Sequence, residues 1–137
     1  MNYIKITASA SGPLDDRIGF SASKNDDIHP RAQAFPYTYE INVSAGDTVH
    51  LFLSGKQDDH TVIHNGTVTD TVEISIDQVL LDSVDITDKF IKQCTYRHGY
   101  NGTGDSVNDV FYGTMGYNGE VIMQFDRDPV AWLANLC

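Results

Sequence analysis

His50, His60 and His64 are the first residues in this 137-residue chain whose type and spacing suggest chemistry. Side chains alternate along an extended strand, so His60 and His64 would share a face. A turn over residues 55–59 would bring His50 opposite His64, and imidazoles gathered on one face can bind zinc. No cysteine or carboxylate completes that set at tight spacing. The plainer reading, solvated or cross-strand-stacked histidines on a polar face, is therefore the stronger one.

A richer source of ligands runs from residue 101 to residue 109. Calcium takes roughly six to eight oxygens from carboxylates, amides and backbone carbonyls. Asn101, Asp105, Asn108 and Asp109 supply such oxygens on a Gly-containing backbone and are the candidate calcium ligands. Their spacing is not that of an EF-hand, and Asp, Asn and Gly are also what ordinary loops use. The same region carries Tyr96, Tyr100, Tyr112 and Tyr117 around Phe111. Flat aromatic faces beside carboxylates can hold a sugar ring, the ring stacking while polar groups take its hydroxyls. Protein interfaces enrich the same residue types, and Phe111 is expected in the core.

Catalytic patterns are missing. There is no G-x-S-x-G elbow, H-E-x-x-H helix, phosphate-binding Gly-rich loop or Cys-x-x-Cys pair. The expectation is a non-enzymatic chain with no catalytic residues and no cofactor other than calcium as a candidate. Nine basic residues against nineteen acidic ones give a net charge of −10. That balance counts against nucleic acid, whose binding rests on Lys and Arg at phosphates, and against anionic membrane surfaces. Cys94 and Cys137 sit in no metal or redox spacing and are expected as free thiols. No apolar run approaches the ~20 residues that cross a bilayer. The N-terminus enters alternating residues at once, with no basic-then-apolar leader.

The elements that must position these groups are mainly strands. Tyr37, Tyr39, Ile41 and Val43 alternate with polar residues, a turn follows at Ala45-Gly46-Asp47, and Val49, Leu51 and Leu53 resume the pattern. Asn65-Gly66 and Asn118-Gly119 both read as type I′ hairpin turns, the second as the cleaner one. Ile4–Ile6 and Ile18–Phe20 add strands, and residues 78–82 extend or follow the strand carrying Val72, Ile74 and Ile76. A short helical turn is expected through Lys89-Phe90-Ile91, capped by Asp85 or Thr87. A C-terminal helix is expected over residues 128–136, with Asp128 as its cap and Pro129 at its first position. Residues 23–36 and 93–108 read as long irregular stretches, which are often functional.

The resulting fold class is all-β: one domain over residues 1–137, an antiparallel β-sandwich or jelly roll with a short C-terminal helix. In strand pattern the chain resembles small β-sandwich proteins that decorate or join parts of tailed-phage virions. It also resembles calcium-dependent carbohydrate-binding modules. The first resemblance implies a virion assembly protein, found in the virion or the producing cell's cytoplasm, and the short C-terminal helix offers Val130, Trp132, Leu133 and Leu136 as the candidate contacts of a homo-oligomer. The second implies a glycan ligand, with calcium, for which the aromatic stretch offers Tyr96, Tyr100, Tyr112 and Tyr117.

Overall fold

Period-two alternation does build strands along the chain. The computed structural model describes residues 2–100, 103–125, 129 and 131. Strand β1 (Asn2–Ser11) is followed by β2 (Gly19–Lys24), the short β3 (Asp27–Ile28), β4 (Tyr37–Val43) and β5 (Thr48–Ser54). A 3-10 turn at Asp58–His60 leads into β6 (Thr61–His64) and β7 (Thr67–Thr71). Then come β8 (Glu73–Leu81), β9 (Val84–Asp85) and helix α1 (Thr87–Gln93). The remaining strands are β10 (Thr95–Tyr100), β11 (Thr103–Val110), β12 (Thr114–Met115) and β13 (Gly119–Gln124).

These strands form two antiparallel sheets. One runs β12-β8-β1-β4 with β9 added to β8, and the other runs β11-β10-β13-β5-β2-β3. In the first sheet Ile4 lies between Ile41 and Leu81, and Ile6 between Tyr39 and Val79. In the second, Leu51 lies between Ala22 and Val121. All these side chains are buried in one apolar cluster, so the sheets make a β-sandwich. A bulge beside Thr7 and Ala8 shifts the register of β8, which is why its buried residues change from Ile74 and Ile76 to Val79 and Leu81. Residues 78–82 thus continue the preceding strand across a bend.

The unit around Gly46 is two strands and a turn, as the pattern requires, but it is not a hairpin. β4 belongs to the first sheet and β5 to the second. Each buries its own apolar row in the shared core, so alternation alone could not separate a hairpin from a crossover. The two Asn-Gly pairs also part company. Asn65 and Gly66 take φ of 51° and 78° and form a hairpin turn, across which β6 pairs with β7 and not with the strand that carries Ile74 and Ile76. Asn118-Gly119 makes no such turn. It joins β12 of one sheet to β13 of the other. Asn118 instead braces Lys56, accepting from its N–H and donating to its carbonyl, each at 2.9 Å. Gly119 serves close approach, since a Cβ there would overlap the Arg97 carbonyl and His98.

Residues 93–108 are likewise not an irregular stretch, because most of them form the β10–β11 hairpin. Residues 23–36 do read partly as expected, with only the end of β2 and the short β3 inside them. The expected helical turn is α1, which buries Phe90. Ile86 occupies its N-cap position without a side-chain cap. Asp85 accepts from the Thr87 N–H at 2.9 Å, and the Thr87 hydroxyl accepts from the Val79 N–H at 2.9 Å, tying the helix start to β8. In the C-terminal segment Pro129 and Ala131 are described, both helical. Val130, Trp132, Leu133 and Leu136, the expected interface, lie outside the described residues.

The three histidines do not gather. His50 on β5 faces Glu120 at 3.0 Å, and His64 is exposed on β6. His60 ends the 3-10 turn and is buried. Its Nδ1 accepts from the Gln57 N–H at 2.8 Å, so Nε2 carries the proton toward Asp15 at 2.9 Å. Arg17 also donates to Asp15 and to Asp59, closing a network at this end of the sandwich. The Arg17 guanidinium, and then His60, hold the Asp15 carboxyl well below the usual range. A depressed carboxyl contributes stability above its unfolded value of ~4, and that contribution is lost as pH falls below it. Asp15→Asn is therefore expected to be less stable than wild type at pH 7, with the gap closing as pH drops through ~4 to ~2. Urea midpoints across that range check this, and a gap independent of pH would refute it.

Candidate functional site

The candidate site lies at the open edge between the sheets. β11 is the edge strand of one sheet and β12 of the other. The chain crosses between them at Phe111–Gly113 and returns through Gly116–Asn118. A cleft of ≈ 490 Å³ opens there, lined by Glu73, Tyr96, His98, Asp109, Val110, Tyr112, Thr114, Gly116 and Tyr117. That volume lies at the lower end of the roughly 300–1,000 Å³ typical of small-molecule sites.

Strand geometry explains who faces the cleft. Tyr96 and His98 are two apart on β10 and so share a face. Asp109 is directly opposite Tyr96 in the register, on that same face. Phe111 drops into the core, and its neighbour Tyr112 is left 86% exposed. Phe111 meets Tyr96 edge-on with centroids 5.9 Å apart, Tyr96 meets His98 at 4.5 Å, and His98 stacks on Tyr117 at 5.0 Å with planes 8° apart. The rings form a continuous row from core to rim.

Polar contacts fix this row. His98 is buried, with Nδ1 2.9 Å from the Gly99 carbonyl and Nε2 2.7 Å from Asp109 Oδ2. Both ring nitrogens face oxygen atoms. Asp109 is thus partnered by His98, while no described residue donates a hydrogen bond to the Glu73 carboxylate. The Tyr96 hydroxyl donates to the Tyr117 carbonyl at 2.5 Å and accepts from the Tyr117 N–H at 3.0 Å. Burial pushes this phenol up to about 12, so it stays protonated through the neutral range. Tyr96→Phe should leave both Tyr117 backbone groups without this partner, at a cost of about 1–3 kcal/mol. It should also loosen the Tyr117 rim. Urea unfolding together with the near-ultraviolet circular dichroism of the ring row tests this, and a variant equal to wild type in both would refute it.

Of the expected ligand residues, Tyr96, Tyr112 and Tyr117 come together here, and the Tyr100 side chain lies outside the described ones. Glu73, His98 and Thr114 also line the cleft and were not singled out from sequence. For His98 the available signal was the alternation Tyr96-Arg97-His98. Glu73, at the start of β8, carries none. Of the expected calcium set, only Asn108 and Asp109 have described side chains. Asn108 and Asp109 are neighbours on β11 and point to opposite faces, Asn108 toward Arg97 at 3.4 Å and Asp109 toward His98. Asn101 and the Asp105 side chain lie outside the described residues. No group of three or more His, Cys, Asp or Glu that could hold a metal occurs among the described residues. Elsewhere Cys94 is buried, its thiol donating to the Phe90 carbonyl at 3.1 Å, and burial pushes its pKa up. No helix among the described residues is long and apolar enough to cross a membrane.

Fold and cleft together define an antiparallel β-sandwich with a small-molecule-sized recess between its sheet edges. No protein-family model matches the chain, and no curated protein matches it. Among solved structures it is similar to the selenomethionine form of vCBM60, reported with a circular permutation linking two families of calcium-dependent carbohydrate-binding modules. That match has a TM-score of 0.54 at 9% identity and covers 90% of this chain and 91% of the other. It is also similar to vCBM60 in complex with galactobiose, with a TM-score of 0.50 at 9% identity, covering 89% and 97%. At such identity the likeness carries the fold.

Proposed function

We propose that the protein is a non-catalytic carbohydrate-binding domain that holds a glycan in the cleft between β11 and β12. The observation that carries this reading is the pairing of exposed aromatic faces with a carboxylate that has no hydrogen-bond donor among the described residues. A pyranose presents C–H groups on one face and hydroxyls around its rim. Tyr112 and the Tyr117–His98 stack supply the surface for the first. Glu73 takes a hydroxyl proton in a charge-assisted bond. Asp109, held by His98, offers its outer lone pairs to a neighbouring hydroxyl.

The same chemistry favours an uncharged sugar. The chain carries a net charge of −10, and Glu73 and Asp109 both line the cleft. A uronic acid or sialic acid would meet like charge there. The likeness to calcium-dependent modules raises a metal, yet the described acidic side chains do not fit one. Binding is accordingly derived from the side chains above. Nothing in the fold likeness or in the described residues supports the virion role or the homo-oligomer.

A panel of neutral and acidic glycans, titrated calorimetrically with calcium and again with a chelator, tests the proposal. Binding of at least one neutral glycan and none of the acidic ones is expected. Silence across the panel under both conditions would overturn it. Loss of binding on chelation alone would direct the search for metal ligands to residues 101–106.

A further inference from the structure

A second recess adjoins the first. It measures ≈ 300 Å³ and is lined by Lys56, Thr61, Val68, Thr71, Glu73, Gly116 and Tyr117. Glu73, Gly116 and Tyr117 line both recesses, so the two meet at this rim. The far wall is the β6–β7 hairpin, which supplies Thr61 and Val68.

Lys56 is the unusual group here, a lysine only 5% exposed. Its Nζ donates to Thr71 Oγ1 at 2.8 Å and to the Gly116 carbonyl at 2.6 Å. An ammonium has three donors, so one remains at the wall of the second recess. Burial lowers the Lys56 pKa, and the charge of Glu73 offsets part of that.

Gly116 marks the junction. Its φ is not in the left-handed region, and a Cβ built on it would meet only Glu73 Oε2, at 3.9 Å. Neither backbone strain nor a tight contact calls for glycine at this position. What the missing side chain leaves open is the space toward Glu73, where the two recesses join.

We propose that the recesses are successive subsites for one oligosaccharide of at least two rings, which passes Gly116 with Glu73 shared between the rings. This rests on the glycan-binding reading above. The near ring stacks at Tyr112 and Tyr117. The far ring lies against Val68, with its hydroxyls on Lys56, Thr61 and Thr71.

The experiment titrates wild type, Gly116→Val and Tyr112→Ala with galactose and galactobiose, glucose and cellobiose, and mannose and mannobiose. Wild type is expected to bind at least one disaccharide about tenfold tighter than its monosaccharide. Gly116→Val should reduce that advantage to about twofold or less. Val68→Trp, which fills the far recess from a side chain 56% exposed in the native protein, should do the same and serves if Gly116→Val fails to fold. Equal affinity for one and two rings in wild type, or a disaccharide advantage that survives both substitutions, overturns the two-subsite proposal. If none of the six sugars binds, the underlying glycan reading fails instead, and if Tyr112→Ala binds as wild type does, the placement of the near ring in this cleft fails.

Discussion

Tyr112→Ala is expected to weaken glycan binding by roughly thirtyfold, about 2 kcal/mol, while leaving stability within ~0.5 kcal/mol of wild type. Both halves follow from its position. The ring is 86% exposed, so the folded protein without ligand loses little when it is removed. With a sugar in the cleft, the same ring becomes a covered contact, and its two side-chain torsions make it cheap to order. A merely structural tyrosine would show the opposite pattern, with stability falling and binding following it. Calorimetric titration and thermal unfolding of the one variant separate the cases. Unchanged affinity at unchanged stability would remove Tyr112 from the site and most of the support for the glycan reading with it.

Phe20→Ala should give the largest loss of stability, about 3–5 kcal/mol. Phe20 is 1% exposed, with Phe35 and Tyr39 at centroid distances of 6.1 Å and 6.0 Å. It sits on β2 opposite Leu53, while Tyr39 belongs to the other sheet, so its ring joins the two layers. β5 fixes its backbone on one side, and on the other its carbonyl accepts from the N–H of Ala32, in the loop after β3, at 2.8 Å and from the Tyr39 hydroxyl at 3.2 Å. The cavity left by truncation therefore has little room to collapse. Urea unfolding measures the loss, and a cost under ~1 kcal/mol would contradict the packing described. Phe20 does not line the glycan cleft, so the variant should bind as wild type does wherever it remains folded.

How much of the site was legible depended on what each residue contributes. The aromatic members Tyr96, Tyr112 and Tyr117 could be picked out, because large rings clustered beside carboxylates have few roles. The strands that hold them could not. β10 and β11 form an edge hairpin whose inner face carries His98 and Asp109 in place of aliphatic residues. A strand that lines a polar cleft gives up the apolar alternation by which strands are recognised, and residues 93–108 consequently look irregular. Glu73 and Lys56 come from distant segments and are ordinary charged residues until the sheets bring them to one rim.

Residue order alone specified the strands with an aliphatic inner face, such as β1, β4 and β5, because burying every second side chain leaves a period that needs no partner to be read. It also determined the Asn65-Gly66 turn, where two successive positive φ angles demand those residue types. Which sheet each strand joins is set by packing in the folded protein. Asn118-Gly119 has the same two letters as the true turn and a different fate, because there the amide is taken by Lys56 and the missing Cβ by Arg97 and His98. Local chemistry sets what a segment can do. Which of those options is taken depends on contacts with residues far away in sequence, as where Glu73 completes a cleft otherwise lined by residues 96–117.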